Sequence, residues 1–320
     1  MSQSSHPNPA PASSPNAKAA KTYYGVAGWA YPDWEGVVYP KPHPRNFHPL
    51  AYLLRYFNSI EVNSSFYAIP APKITQRWAE LARASGDVQF TMKLWQGFTH
   101  TAEWQDSDAR AFQLAAEPLH EAGLLGCILL QFPWSFRPGQ QSKDMLQRLL
   151  DTFEQFPLAV EIRHSDWLQP DSQGGMIQTI LAPRQVSFCN IDQPALNHCV
   201  QRTELVTAPH AYFRAHGRNF KCWFQESDDR HARYDYLYNP QEIAQMAESV
   251  RALKQKADKV FIITNNHCRG QAVVNALQLR SLAEEQPVAA PPCLVDHFGA
   301  LGEGIITQQA IASGEQMEMF

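Results

Sequence analysis

Eight short β-rich runs recur along this chain, and helix-like segments fill most of the gaps between them. The runs are YYGVAGW (23–29), SIEVNSSF (59–66), VQFTMKLW (88–95), GCILLQFP (126–133), LAVEIRH (158–164), QVSFCNID (185–192), HAYFRAHG (210–217) and KVFIITNNH (259–267). HPLAYLLRYFN, PKITQRWAELARAS, DARAFQLAAEPLHEAG, KDMLQRLLDTFEQF, PQEIAQMAESVRALKQKA and GQAVVNALQLRSLAEE carry apolar residues at three- and four-residue spacing, the period of a helix with one buried face. Strands alternating with helices imply right-handed crossovers and a parallel sheet. Eight such units over about 260 residues match a single-domain α/β fold, the TIM (β/α)8 barrel. The link between the sixth and seventh runs, LNHCVQRTELVTAP, has no helical period and reads as loop. An open doubly wound sheet is the fallback, but GVAGWAYPDW after the first run is a poor match to its glycine-rich phosphate loop.

The flanks differ from this middle. Residues 1–21 are Pro, Ser, Ala and Asn with no large apolar residue after Met1, so a disordered N-terminal tail is expected. It has no apolar segment of the secretory-signal kind. The barrel is expected over 22–285, with a C-terminal extension over 286–320 that packs on the domain or hangs free. Six cysteines are scattered without a CxxC, and Cys127 and Cys189 lie in apolar runs where a buried thiol is expected. A cytoplasmic location fits this usage best, and no apolar run reaches the length of a membrane span. The 27 Lys+Arg against 31 Asp+Glu give a formal net charge of −4. Nonspecific nucleic-acid binding is therefore disfavoured; the pattern does not speak to protein partners.

Alternation along the strands locates a candidate site. A strand shows opposite faces at successive residues. In a parallel barrel the outer face packs against helices and should be apolar, so a polar i, i+2 pair at a strand's C-terminal end should point inward. Five strands show one: Glu61 and Asn63, Thr91 and Lys93, Glu161 and Arg163, Asn190 and Asp192, Arg214 and His216. Gln131 ends the fourth strand. Asn265, Asn266 and His267 end the eighth, with parity ambiguous. Barrel enzymes place their catalytic groups at these ends. Lys93, Glu161, His216, Glu61 and Asp192 are the candidates for proton transfer. Asn63, Arg163, Arg214, Arg218, Asn265 and Asn266 are the candidates for holding a polar or anionic ligand. Against this stands a purely structural salt-bridge network filling the barrel; burying so many charges is costly unless they serve a ligand.

Aromatic residues cluster in the same loops. Trp29, Tyr31, Trp34, Phe66, Tyr67, Trp95, Trp134, Phe136, Trp167 and Trp223 follow the strands. Trp29, Tyr67 and Trp223 are the candidates to stack on a ligand, and most of the others are expected to pack the loops. Trp78 is expected in the core. No metal-binding spacing occurs within one segment, so no cofactor is favoured. A divalent metal, if present, would draw on Glu161, Asp192, His216 and His267. His164 has the opposite parity to Glu161 and is expected to turn outward and cap HSDW.

Taken together, these segments resemble the YecE-like proteins, domain of unknown function 72, over roughly residues 23–280. GVAGWAYPDWEGVVYP resembles that family's opening motif. SIEVNSSFYAIP with Trp78, FTMKLWQGFTH, LLQFPWSF and AVEIRHSDWL follow. Asp192 with Pro194, YFRAHGR with Trp223, YDYLY and TNNHCRGQAVVNALQL complete the set. This chain departs at Ala27, where the family commonly has Ser, and at Val38, where it commonly has Phe. The resemblance implies a TIM barrel without an established reaction. It points at Glu61, Asn63, Lys93, Glu161, Arg163, His164, Asp192, Arg214, His216, Gly217, Arg218, Asn265, Asn266 and His267. The expected function is an enzyme, of hydrolase, lyase or isomerase type, acting on a small polar, sugar-like or phosphorylated ligand at the C-terminal face. The alternatives are a metal-dependent phosphodiesterase or nuclease, resembling apurinic-endonuclease-like barrels, and a noncatalytic binding protein.

Overall fold

The computed structural model describes residues 19–169, 175–223, 232–299 and 306–307. The tail expected over 1–21 lies outside these up to residue 18, and so does most of the C-terminal extension beyond 299.

Eight parallel strands close into a barrel in sequence order: β1 (Lys21–Ala27), β2 (Ser59–Val62), β3 (Gln89–Lys93), β4 (Leu125–Gln131), β5 (Leu158–Glu161), β6 (Ser187–Asp192), β7 (His210–Ala215) and β8 (Lys259–Thr264). Pairing of β1 with β8, from Lys21 opposite Lys259 to Val26 opposite Thr264, completes the circle. The single-domain TIM barrel is thus the fold. Several strands end earlier than their β-rich runs because the final polar residues leave the ladder. NSSF, for example, starts a helical turn after β2. Gly25 is required where β1 meets β2, since a Cβ there would overlap the Ser59 carbonyl.

The helices are α1 (Pro49–Leu53), α2 (Ser64–Tyr67), α3 (Pro72–Ala82), α4 (Gln96–Thr99), α5 (Asp106–Glu121), α6 (Gln140–Thr152), α7 (Pro240–Lys254), α8 (Gln271–Glu284) and α9 (Pro292–Phe298). All six segments with helical spacing form one. In α3 the buried residues are Thr75, Trp78, Ala79 and Ala82, a single stripe facing the sheet. A capping box between Asn239 and Glu242 starts α7, satisfying two of its free N–H groups. Helix α8 is different: from Gln271 to Leu279 every residue is buried. Residues beyond it supply the cover, with Val288, Ala290 and Leu294 joining the main core. Among the described residues no helix is long and apolar enough to cross a membrane.

The link between β6 and β7 is the loop anticipated from its lack of period, residues 193–209. Without a helix, another device must anchor it. Asn190 Oδ1 accepts hydrogen bonds from Leu205 N (2.8 Å) and Thr203 Oγ1 (2.7 Å), while its Nδ2 donates to Leu205 O (2.9 Å).

This corrects the alternation assigned to β6. Its register pairs Cys189 with Tyr212 and Ile191 with Arg214, whereas Asn190 and Asp192 pair with Phe213 and Ala215. Phe213 and Ala215 belong to the outer layer packed on α7 and α8. Asn190 and Asp192 therefore face outward, and Cys189 and Ile191 face the interior. The other four polar pairs share the inward register.

Asn190→Ala should remove the partners of the half-buried Leu205 N–H and C=O, at about 1 kcal/mol for each lost hydrogen bond. The expected result is a melting temperature lower by several degrees and faster proteolytic cleavage within 193–209. Unchanged melting and unchanged cleavage would refute the anchoring role.

Candidate functional site

The inward residues near the strand ends build a buried ion network. Arg214, 1% exposed, is its hub. Its guanidinium makes a bidentate pair with Glu61 and donates from Nη1 to Glu161 Oε2 at 2.8 Å. Tyr212 OH donates to Glu61 Oε2 at 2.8 Å and lies 2.8 Å from Thr91 Oγ1. One cation thus ties β2, β5 and β7 together inside the barrel, and Tyr212 extends the link to β3. Glu61 and Glu161 are fully buried.

Glu161 has a second set of partners toward the mouth. Its Oε1 lies 2.6 Å from Arg163 Nε and 3.3 Å from His216 Nε2. Burial disfavours its charge, but Arg163, Arg214 and His216 outweigh that and hold its carboxyl well below the usual carboxylate range. Arg163 also donates to Gln193 Oε1 at 3.0 Å and lies 5.7 Å above the Trp223 ring. His216 is pushed down to about 3 by burial, with Arg163 adding to the effect, so its imidazole is neutral at pH 7. Donors of Arg163 (3.4 Å) and Asn265 (3.1 Å) both face its Nδ1. Nδ1 is therefore the acceptor, and Nε2 carries its proton toward Glu161. The angles at Glu161 Oε1, Arg163 Nε and His216 Nε2 leave all three buried atoms without a hydrogen bond. The Arg163 contact with Glu161 is ionic, and the neutral His216 ring packs its Nε2 against the same oxygen.

Lys93 stands apart. It ends β3 and is only partly buried, with its ammonium 3.7 Å from the centre of the Phe66 ring. Among the described residues no carboxylate lies within 4.0 Å of that ammonium. Burial and the charge of Arg214 lower it from 10.5 to about 7, against the pull of Glu61 and Glu161. Asn63 precedes α2 without capping it through its side chain, and its Oδ1 is buried and lacks a hydrogen bond.

The other anticipated residues fall elsewhere. Asp192 and Arg218 bind each other on the outer side of β6, with Arg218 Nε and Nη2 donating to the two carboxylate oxygens at 2.8 and 2.7 Å. Tyr238 OH donates to the same carboxylate at 2.9 Å. Asn266 faces α8, where its Nδ2 donates to Asn275 Oδ1 at 2.8 Å. His267 stacks on Tyr31 with ring centres 4.5 Å apart, and its carbonyl accepts from Trp34 Nε1 at 2.7 Å. Glu161, Asp192, His216 and His267 thus do not converge as metal ligands: Asp192 is committed to Arg218 across the sheet, and Glu161 to two guanidiniums. Trp29 packs edge-on to Trp78, and Tyr67 is 65% exposed at the rim. Trp34, Trp78 and Trp167 are buried packing residues. His164 does turn outward and caps the turn Ser165–Leu168, its Nδ1 accepting from Asp166 N at 3.3 Å.

Two participants were not anticipated. Tyr212 lies two residues before Arg214 and so shares its face; carrying the alternation one step back would have found it. Gln193 has the parity of Ile191, and the corrected β6 alternation selects it in place of Asp192. Phe66, expected among the aromatic residues of these loops, lies on the helical turn α2 and meets Lys93.

The family described as protein of unknown function DUF72 matches residues 23–294, and the chain belongs to that family. The UPF0759 protein YunF of Bacillus subtilis (strain 168) is 26% identical over 288 residues, covering 86% of this chain and 99% of that protein. The UPF0759 protein YecE of Escherichia coli (strain K12) is 25% identical over 267 residues, covering 75% of this chain and 93% of that protein. A crystal structure of a DUF72 family protein from Enterococcus faecalis V583 superposes with a TM-score of 0.73 at 28% identity, covering 82% of this chain and 95% of that one.

The Lys93 arrangement opposes folding, and its pH dependence has a definite sign. Between the folded value of about 7 and an unfolded value of about 10.4, the unfolded chain binds the extra proton, so stability rises with pH across that window. Below it the penalty is fully present. Lys93→Met should therefore melt higher than wild type near pH ~6, by a few degrees, and the gain should shrink toward pH ~10. A variant that melts lower than wild type near pH ~6 would contradict this.

Proposed function

We propose that this DUF72 protein is an enzyme that binds a small anionic ligand, phosphorylated or sugar-like, at the C-terminal mouth of the barrel and moves a proton with Lys93. The observation that carries the reading is the position of Lys93: a lysine at the mouth, over an aromatic ring, with no carboxylate within 4.0 Å among the described residues. The nearby acids do not compete for the role. Glu161 is held ionised by Arg163 and Arg214, which makes it a poor base, and Glu61 is locked to Arg214 and Tyr212. A lysine near 7 gives and takes a proton at neutral pH.

The surrounding groups supply binding. Arg163 and protonated Lys93 attract an anion, with the guanidinium offering paired donors. Asn63 Oδ1, buried without a hydrogen bond, provides an acceptor for a ligand hydroxyl. His216 keeps its Nε2 proton on Glu161 and steadies that carboxylate behind the pocket. Phe66 and Trp223 form the apolar sides. This set fits proton transfer next to a carbonyl of a phosphorylated or polyhydroxylated compound, the chemistry of isomerases, epimerases and some lyases.

A panel of aldose and ketose phosphates incubated with the protein in heavy water tests the reading. Proton NMR should show loss of a C–H signal next to the carbonyl of at least one member. The rate should fall at least a hundredfold in Lys93→Met, and Arg163→Met should weaken binding about tenfold. Exchange that Lys93→Met leaves unchanged, or no exchange with any member, overturns it.

A further inference from the structure

On the far side of β5 from this pocket, three side chains with metal-binding chemistry face one another. His164 Nδ1 lies 3.5 Å from Asp166 Oδ2, and His198 Nδ1 lies 3.8 Å from Asp166 Oδ1. One ligand atom from each of the three falls within 4.8 Å of the others. The imidazoles are stacked, with ring centres 5.5 Å apart and planes at 20°. We propose that His164, Asp166 and His198 form a binding site for a first-row divalent cation of the zinc class, outside the barrel interior.

The backbone is built to hold this arrangement. Ser165 N donates to His198 O at 2.9 Å and Val200 N donates to Arg163 O at 3.0 Å. These bonds lock the loop 193–209 against the end of β5 through a bridge between His164 and Cys199. His198 itself sits in the left-handed region at φ 58°, a conformation that L-residues other than glycine adopt at a cost. Such strain persists where the surroundings fix it, and it brings the His198 ring face to face with His164. Trp134 backs His164 from the other side, 4.8 Å between ring centres, which sets its orientation. His164 is 1% exposed, whereas the side chains of Asp166 and His198 are 45% and 66% exposed. The cluster thus has a fixed base and an open front.

The distances suit a cation. Zinc bonds to imidazole nitrogen and carboxylate oxygen are roughly 2.0–2.2 Å long, which places neighbouring ligand atoms roughly 3.0–3.6 Å apart. Cation binding through His164 Nδ1 replaces the hydrogen bond it accepts from Asp166 N, and rotation of the exposed Asp166 and His198 side chains turns their donor atoms to converge with it. The donor set of two imidazoles and one carboxylate selects borderline cations such as Zn²⁺, Co²⁺ or Fe²⁺ over Mg²⁺ and Ca²⁺, which favour oxygen. The open front leaves the remaining coordination positions to water.

Calorimetric titration of the full-length, chelator-treated protein with zinc chloride tests the site. One equivalent should bind, and the same protein should develop the visible absorption of nitrogen-coordinated Co²⁺ when cobalt chloride is added. Zinc should raise the melting temperature of the wild type, since a cation that binds only the folded state stabilises it. Asp166→Asn and His198→Ala change exposed side chains and should keep the circular dichroism of the wild type. In both, zinc affinity should fall at least tenfold and the thermal gain should vanish. Magnesium chloride in excess should not displace zinc. Absence of stoichiometric zinc binding, or binding that both variants retain, overturns the proposal.

Discussion

Arg214 is the interaction on which the interior depends. A single guanidinium pairs with two carboxylates from β2 and β5, deep in a barrel where an unpaired charge is costly. Removing charges from water is expensive, and the expense is recovered only with good geometry and full hydrogen bonding. The bidentate pair with Glu61, the third bond to Glu161 and the Tyr212 hydroxyl meet that condition. Two consequences follow. The barrel carries a polar centre where other proteins would carry branched apolar side chains. Glu161 is also held as an ion by its guanidinium partners.

That division organises the mouth of the barrel into two layers. The lower layer, Glu61, Arg214 and Tyr212, is saturated. The upper layer, Glu161 Oε1, Arg163 and the neutral His216 with Lys93 beside them, is less completely hydrogen-bonded. A structural network that existed only to fill space would gain by satisfying its upper atoms, because stranded buried polar groups cost free energy. The incomplete layer is the one that a ligand would meet first.

Most of this was legible in the residues. The strand count and helical spacing identify the barrel, and period-two alternation places Glu61, Lys93, Glu161, Arg163, Arg214 and His216 inside. The failure at β6 has a specific cause. The alternation rule rests on helices covering the outer face with apolar groups, and LNHCVQRTELVTAP offers no helix. An outer face covered by a loop must instead meet bare N–H and C=O groups, so it too becomes polar, as Asn190 does for Leu205. The two observations were independent in the sequence, and joining them gives the correct face. The pairing of Asp192 with Arg218 was less accessible, because it depends on how two loops meet. The split of the tryptophans into packing and rim residues likewise depends on loop paths that no local period encodes.

Helix α8 has a further meaning. Most helices around a barrel have one wet side on which sequence can drift. From Gln271 to Leu279 this one has none, since the segment carrying Val288 and Leu294 closes over its outer surface. Its polar residues are bound as tightly as its apolar ones, with Asn275 joining Tyr238, Asn266 and Gln278. A helix without a wet side has few silent positions. Evolutionary constraint on this chain should therefore be heavy along a segment that stands behind the barrel wall, and a strongly invariant stretch there would record packing rather than chemistry.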